Sequence, residues 1–220
     1  MKPLPNECLF QQPETWAATS EVVNRLASVG TVAHFPAHAT VITEGETGNA
    51  FYVILGGKVK VFTSGPDGKS IIINTLGPGE YIGELALDGG PRSASVMTLE
   101  PTSVAVVPCA DLRNFIAAHP DFALHLIHNL IGRLRRLTNG FKSLALQDVY
   151  TRVVELLNQM SEPAGEYRVI PNPLTQQNVA EHVGSSREMV SRIFKDLKKG
   201  GHIKIQARRI TLLNKLPAAW

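Results

Sequence analysis

The sequence predicts an α+β chain: an N-terminal β roll of jelly-roll type, one long helix, and a C-terminal winged helix-turn-helix. Three observations carry this. Short β-prone runs punctuated by glycine fill residues 35–107, and apolar residues recur in alternating steps of four and three from 123 to 144. Two short capped helical segments, separated by a glycine and carrying a basic outer face, lie between 174 and 197.

Residues 14–30 read as a helix covering the roll. The run Ala50–Phe62 sets β-formers on either side of Gly56-Gly57, a hairpin signal. Ser64-Gly-Pro-Asp-Gly-Lys69 is a second turn, followed by the β-branched run Ile71-Ile72-Ile73. Leu76-Gly-Pro-Gly79 punctuates again, and Ala94–Val107 supplies two strands split at Pro101. After Pro108 the character changes. Asp111 caps a helical run to His119, and Pro120 opens a long helix to about Leu144 with Gly140 as a soft spot. Within it Ala123, Ile127, Leu130, Leu134, Leu137, Phe141 and Leu144 form a heptad seam. A helix packed on its own roll needs only a wider stripe near a period of 3.6, so the seam predicts a homodimer. A further helix runs from about Asp148 to Gln159, then a loop at Pro163-Ala-Gly165. β-like stretches at 167–170 and 202–213 bracket the last two helices.

Composition narrows the function. A length of 220 residues suits two modest domains and a connector, with 44% apolar residues to bury. Cys8 and Cys109 lie far apart without CxxC spacing, which argues against a disulfide framework, a zinc site or an iron–sulfur cluster and fits a reducing cytosol. The N-terminus lacks the apolar run of a signal peptide, and no stretch of 18 apolar residues occurs. The expectation is therefore a cytoplasmic protein with no membrane span. There is no metal-ligand cluster, no paired nucleophile and base, and no phosphate-cradling Walker loop, so no catalytic residue and no enzyme is expected. His34, His38, His119, His125 and His128 show no ligand spacing. Charge is asymmetric: residues 1–146 carry 11 basic against 12 acidic side chains, whereas 184–215 carry 9 against 2. A basic C-terminus points to a polyanion such as nucleic acid, although a solvated basic surface accounts for the charge equally well.

In the C-terminal segment Thr175 can cap a helix whose inner face is Val179, Ala180 and Val183. Gly184 permits the left-handed turn that ends it, and Ser185 or Ser186 caps the next helix. That helix buries Val190, Ile193, Phe194 and Leu197 and presents Arg187, Glu188, Ser191, Arg192 and Lys195. Arginine forks onto the O6/N7 edge of guanine and glutamate accepts from the cytosine amino group. Alternatively, Ser185-x-x-Glu188 is a capping box that merely ties down a helix start. The segment Gly184-Ser-Ser-Arg-Glu-x-Val-x-Arg-Ile193 closely resembles the recognition element of the cyclic AMP receptor (catabolite activator) family. The resemblance implies double-stranded DNA with TGTGA-like half-sites in a palindromic operator, read by Arg187, Glu188 and Arg192. The candidate DNA-contacting set is Thr175, Gln177, Ser186, Arg187, Glu188, Arg192 and Lys195. Arg208 and Arg209, in the wing, add backbone contacts or exposed charge.

The second motif is Gly77-Pro-Gly-Glu-Tyr-Ile-Gly-Glu-Leu-Ala-Leu-Asp-Gly-Gly-Pro-Arg-Ser-Ala-Ser-Val96. Glycines let backbone approach a ligand, free N–H groups at a short helical turn suit a phosphate, and Arg92 can fork onto a phosphodiester. A Glu84–Arg92 salt bridge stitching a turn explains the bare loop nearly as well. The pattern Tyr81-x-Gly-Glu-Leu-Ala-Leu87 followed by Pro91-Arg-Ser-Ala94 closely resembles the phosphate-binding cassette of cyclic-nucleotide-binding domains. The resemblance implies Glu84 on the ribose 2′-hydroxyl and Arg92 with Ser93 on the cyclic phosphate of cyclic AMP or cyclic GMP, an allosteric effector rather than a covalent cofactor. Gly83 and Leu85 complete the cassette.

Cyclic AMP receptors resemble this chain along nearly its whole length but carry a Thr-Ser pair on the long helix that reaches the adenine. Alignment back from Leu146-Gln-Asp-Val149 puts Leu137 and Thr138 there. Leu137 cannot hydrogen-bond a base edge; Thr138 can. The oxygen-sensing branch holds its cluster on several N-terminal cysteines, and only Cys8 lies in that region. The resemblance further implies RNA polymerase as a partner, through loops such as Ser64–Lys69 and Pro163–Gly165. It divides the chain into a cyclic-nucleotide-binding effector domain (1–109), a dimerisation helix and hinge (110–146), and a winged helix-turn-helix DNA-binding domain (147–220).

Overall fold

The computed structural model describes residues 16–206 and 209–217. The chain divides into two compact units. One takes residues to Lys60 together with Thr75–Gly132, and the other takes Val61–Asn74 together with residues from Arg133 onward.

In the first unit, helix α1 (Trp16–Val29) precedes β1 (Thr31–Phe35), β2 (Thr40–Ile42) and β3 (Ala50–Gly56). The chain continues through β4 (Val59–Ser64) and β5 (Ser70–Leu76), most of whose residues fall in the second unit, and returns to the first with β6 (Tyr81–Ile82), a 3₁₀ turn (Glu84–Asp88), β7 (Ser95–Thr98) and β8 (Thr102–Pro108). One sheet has the order β1-β8-β3-β6 and the other β2-β7-β4-β5. The β roll expected from the sequence is present, with one correction. β3 and β4 do not form the hairpin signalled by Gly56-Gly57, because they belong to different sheets. Gly57 has φ +85°, and a Cβ there would lie 2.5 Å from the Pro101 carbonyl oxygen. The glycine pair turns a tight corner from one sheet to the other instead of closing a ladder.

Alternation along β3 sends Phe51 and Val53 inward, where they meet Ala105 and Val107 of β8 in one core. Tyr81, Phe115 and Phe122 complete its aromatic centre, with ring centroids 5.0 Å apart for Phe51–Tyr81 and 5.5 Å for Phe115–Phe122. Helix α2 (Cys109–Ala118) starts two residues before Asp111, with Pro108 at its N-cap and no side-chain cap. Its first amide is held instead by the Asn49 carbonyl at 3.0 Å, and Asp111 lies in the first turn.

Helix α3 (Pro120–Leu146) runs unbroken through Gly140. Phe122 and Leu126 are buried, but Ile127, Leu130, Leu134, Leu137, Phe141 and Leu144 are all exposed, Phe141 by 75%. The heptad seam is thus an uncovered apolar stripe. Among the described residues no helix is long and apolar enough to cross a membrane.

The second unit contains α4 (Val149–Met160), β9 (Glu162–Ala164), β10 (Tyr167–Val169), α5 (Gln176–Val183), α6 (Arg187–Lys199), β11 (Ile203–Gln206) and β12 (Arg209–Leu212). Asp148 caps α4, accepting from the Thr151 amide at 2.7 Å. The expected loop at Pro163–Gly165 is instead a hairpin between β9 and β10, turned at Gly165 with φ +67°. The sheet order is β11-β12-β10-β9, and Val153, Leu157, Ile170, Val179, Val190, Ile193 and Ile210 form the core between sheet and helices. Arg152 ties helix ends together. Its guanidinium donates to the Gln147 carbonyl (2.8 Å) just past α3 and to the Val183 carbonyl (2.9 Å) at the end of α5.

Candidate functional site

The two sequence motifs fold into two sites of opposite character. The register of β3 on β6, Tyr52 with Ile82 and Val53 with Tyr81, carries Gly83 to the start of β3. Gly83 opens the 3₁₀ turn with φ +87°, and a Cβ would lie 2.9 Å from the Ala50 carbonyl oxygen, so both conformation and space demand glycine. Glu84 follows half-buried, while Leu85 and Ser93 are exposed. Among the described residues Arg92 is the only buried charged side chain, at 8% exposure. Its guanidinium donates to the Ala50 carbonyl at 2.7 Å and the Gly83 carbonyl at 3.2 Å, with the Tyr52 ring 6.0 Å away. These neutral acceptors hold the cation without cancelling its charge, which leaves an anion attractive there. The cassette residues Gly83, Glu84 and Arg92 are therefore brought together. Ala50, which supplies the shorter hydrogen bond, was missed by sequence reasoning. A backbone acceptor on a strand 42 positions away leaves no mark in its own side chain.

On α3, Leu137 is 52% exposed and Thr138 donates its hydroxyl to the Leu134 carbonyl at 2.9 Å, the usual i−4 bond of a helical threonine. His125 is half-buried against the Tyr81 and Phe122 rings, and this burial, with the charge of His128, lowers its pKa. Among the described residues no group of three His, Cys, Asp or Glu could hold a metal.

The second site faces outward. Thr175 caps α5 in a reciprocal box with Asn178, and Gly184 ends the helix at φ +62°. Ser186, not Ser185, caps α6 and accepts from the Met189 amide at 3.2 Å. Glu188 is thus the second residue of the helix and takes no part in a Ser185 box. Val190, Ile193, Phe194 and Leu197 are buried, while Arg187, Glu188, Arg192 and Lys195 are exposed on the opposite face. Thr175 and Ser186, both expected as DNA contacts, spend oxygen lone pairs on caps. Gln177 is exposed and hydrogen-bonds Glu181 at 3.1 Å. A groove beside α6 is lined by Thr175, Gln176, Gln177 and Arg187. Gln176 carries no sequence signal for this role, and only the fold brings it to line the groove. Arg209 lies on β12; Arg208 and Cys8 fall outside the described residues.

A β roll with a buried arginine held by neutral carbonyls, followed by a long helix and a winged helix-turn-helix, has the build of a DNA-binding transcription regulator. Residues 32–119 match the model of the cyclic nucleotide-binding domain and 151–215 that of the Crp-like helix-turn-helix domain. The chain is 33% identical over 183 residues to the CRP-like cAMP-activated global transcriptional regulator of Mycobacterium tuberculosis, covering 81% of this chain and 82% of that one. It is 31% identical to the cAMP-activated global transcriptional regulator CRP of Pasteurella multocida, covering 81% and 88%. Its fold matches that of the c-di-GMP responsive global regulator CLP of Xanthomonas campestris with a TM-score of 0.80, at 21% identity over 89% of this chain and 99% of that one. The chain belongs to the cyclic AMP receptor protein (CRP) family of DNA-binding transcription regulators and carries a cyclic-nucleotide-binding domain. Its relatives are regulators rather than enzymes.

Proposed function

We propose that the protein is a cytoplasmic homodimer that binds palindromic operators with TGTGA-like half-sites when cyclic AMP occupies the cassette. The observation that carries the effector reading is the buried Arg92 held by neutral carbonyls next to Gly83 and Glu84. Glu84 would take the ribose hydroxyl, Arg92 and Ser93 the cyclic phosphate, and Gly83 and Leu85 the close backbone approach. Arg187, Glu188 and Arg192 would read base edges; Lys195, Gln177, Thr175 and Ser186 would position the phosphate backbone. The uncovered stripe on α3 supports a second copy as its cover, because its heptad spacing suits a matching helix. The division at 1–109, 110–146 and 147–220 assigns sensing, dimerisation and reading. RNA polymerase would be met through surface loops.

The switch works by population shift. The ligand favours the DNA-competent dimer only by the ratio of its affinities for the two states. That dimer spaces two recognition helices by one DNA turn, roughly 34 Å. Leu137, which cannot hydrogen-bond a base where the resemblance sets a hydroxyl, favours a second reading, in which the effector differs or the cassette is idle. Binding of the purified protein to a TGTGA palindrome at fixed salt, with and without cyclic AMP, cyclic GMP and cyclic di-GMP, separates the two. Specific binding that appears with cyclic AMP alone supports the first reading. Specific binding indifferent to every nucleotide overturns it and leaves the DNA reading standing.

A further inference from the structure

We infer that Gly48 is a positioning residue for Arg92: by having no side chain it opens the seat in which the guanidinium lies. The inference rests on the nucleotide reading of the cassette and adds a residue to it that touches no ligand. A Cβ built on Gly48 would fall 2.3 Å from Arg92 Nε, 2.5 Å from Nη2 and 2.7 Å from Cζ. All three atoms belong to one guanidinium. Gly48 does not have a positive φ, so no left-handed backbone demands glycine there. The only demand for glycine is the space Arg92 occupies.

The segment around Gly48 holds the arginine in three ways. The Glu46 carbonyl accepts from the Arg92 amide at 2.9 Å, and the Gly45 amide donates to the Arg92 carbonyl at 2.8 Å. Thr47 bridges Pro91 in antiparallel fashion. Ala50 then accepts from the side chain at 2.7 Å. One short stretch therefore fixes the backbone of Arg92, receives its tip and, at Gly48, leaves the room for it. Gly83 contributes on the other side, where a Cβ would meet Nη1 at 2.8 Å, but its φ of +87° makes glycine necessary there in any case. Gly48 is the position where the seat can be tested without disturbing the chain.

An alanine at Gly48 displaces the flexible end of Arg92 and not the backbone, so the roll folds while the arginine leaves its two acceptors. The charge remains in the protein but no longer stands beside Gly83 and Glu84. Loss of an aligned charge-assisted contact of this kind costs roughly tenfold to a hundredfold in affinity.

The test compares full-length wild type, Gly48→Ala, Arg92→Ala and a control outside the cassette, Gly56→Ala, whose added Cβ meets nothing within 4 Å. The first readout needs no ligand: modification of Arg92 by phenylglyoxal, followed by mass spectrometry of the peptide. Wild type and Gly56→Ala protect Arg92, whereas Gly48→Ala exposes it with cooperative melting retained. The second readout is calorimetric titration with cyclic AMP and cyclic GMP. Gly48→Ala binds as poorly as Arg92→Ala, and Gly56→Ala binds like wild type. Unchanged Arg92 protection in Gly48→Ala, or unchanged nucleotide affinity despite exposure, overturns the inference. Wild type that binds neither nucleotide overturns the cassette reading and the seat's role in binding; the protection assay then separately decides whether Gly48 seats Arg92.

Discussion

The cassette and the recognition helix handle their charged residues in opposite ways. Arg92 is buried and bonded to carbonyls from two separate strand ends. Arg187, Glu188 and Arg192 stand exposed on one helix whose other face supplies the core. A buried cation must be held in position by its surroundings, because an unpaired charge in a dry site is costly. An exposed cation on a helix needs only the helix. Function at the first site is thus inseparable from packing, and at the second it is a layer laid over it.

The sharpest way to break that comparison is to damage the core behind the cassette. Phe122→Ala removes a fully buried ring that contacts Phe51, Tyr81 and Phe115, and should lower stability by about 3–5 kcal/mol in denaturant unfolding, taking nucleotide binding with it. Arg92→Ala should weaken cyclic AMP binding by about 1.5–3 kcal/mol while non-specific DNA affinity stays the same. On the recognition helix, Arg187→Ala or Glu188→Ala should each cost about 1–3 kcal/mol of operator discrimination by competition binding. Thermal stability should stay within about 0.5 kcal/mol. A large stability loss there would erase the distinction between the sites. Ser186→Ala tests its margin, since this residue belongs to the fold as well as the surface, and should cost about 1 kcal/mol of stability through the lost cap.

The smallest effect concerns pH. Burial lowers the pKa of His125 below its ordinary value of 6.5, so the unfolded chain binds this proton more readily than the folded one. The stability linked to neutral His125 is fully present above 6.5 and is lost as pH falls through the folded value. His125→Gln should therefore flatten the acid side of a melting-temperature profile relative to wild type; an unchanged slope would refute the linkage.

Much of this was legible in the sequence, for physical reasons that differ between regions. The helix-turn-helix could be read because its determinants are local. Thr175, Gly184 and Ser186 cap, turn and cap, and the buried residues keep helical spacing. The cassette's glycines and Arg92 were visible, but the carbonyl of Ala50 was not, since it meets Arg92 only through the long-range pairing of residues 45–47 with Pro91 and Arg92. The Gly56-Gly57 hairpin was misread for a related reason. A glycine pair signals a sharp change of direction, and local sequence does not say whether the next strand joins the same sheet. The start of α2 was likewise set by Asn49, 60 positions away, and not by the nearby Asp111.

The outward face of α6 has an evolutionary corollary. Since Arg187, Glu188 and Arg192 lie opposite the buried face of their helix, each can mutate singly without first needing a compensating change in the core. If these three residues read the operator as proposed, its preference can drift between duplicated copies by one-letter steps, and the copies can part company over their target promoters while sharing one scaffold.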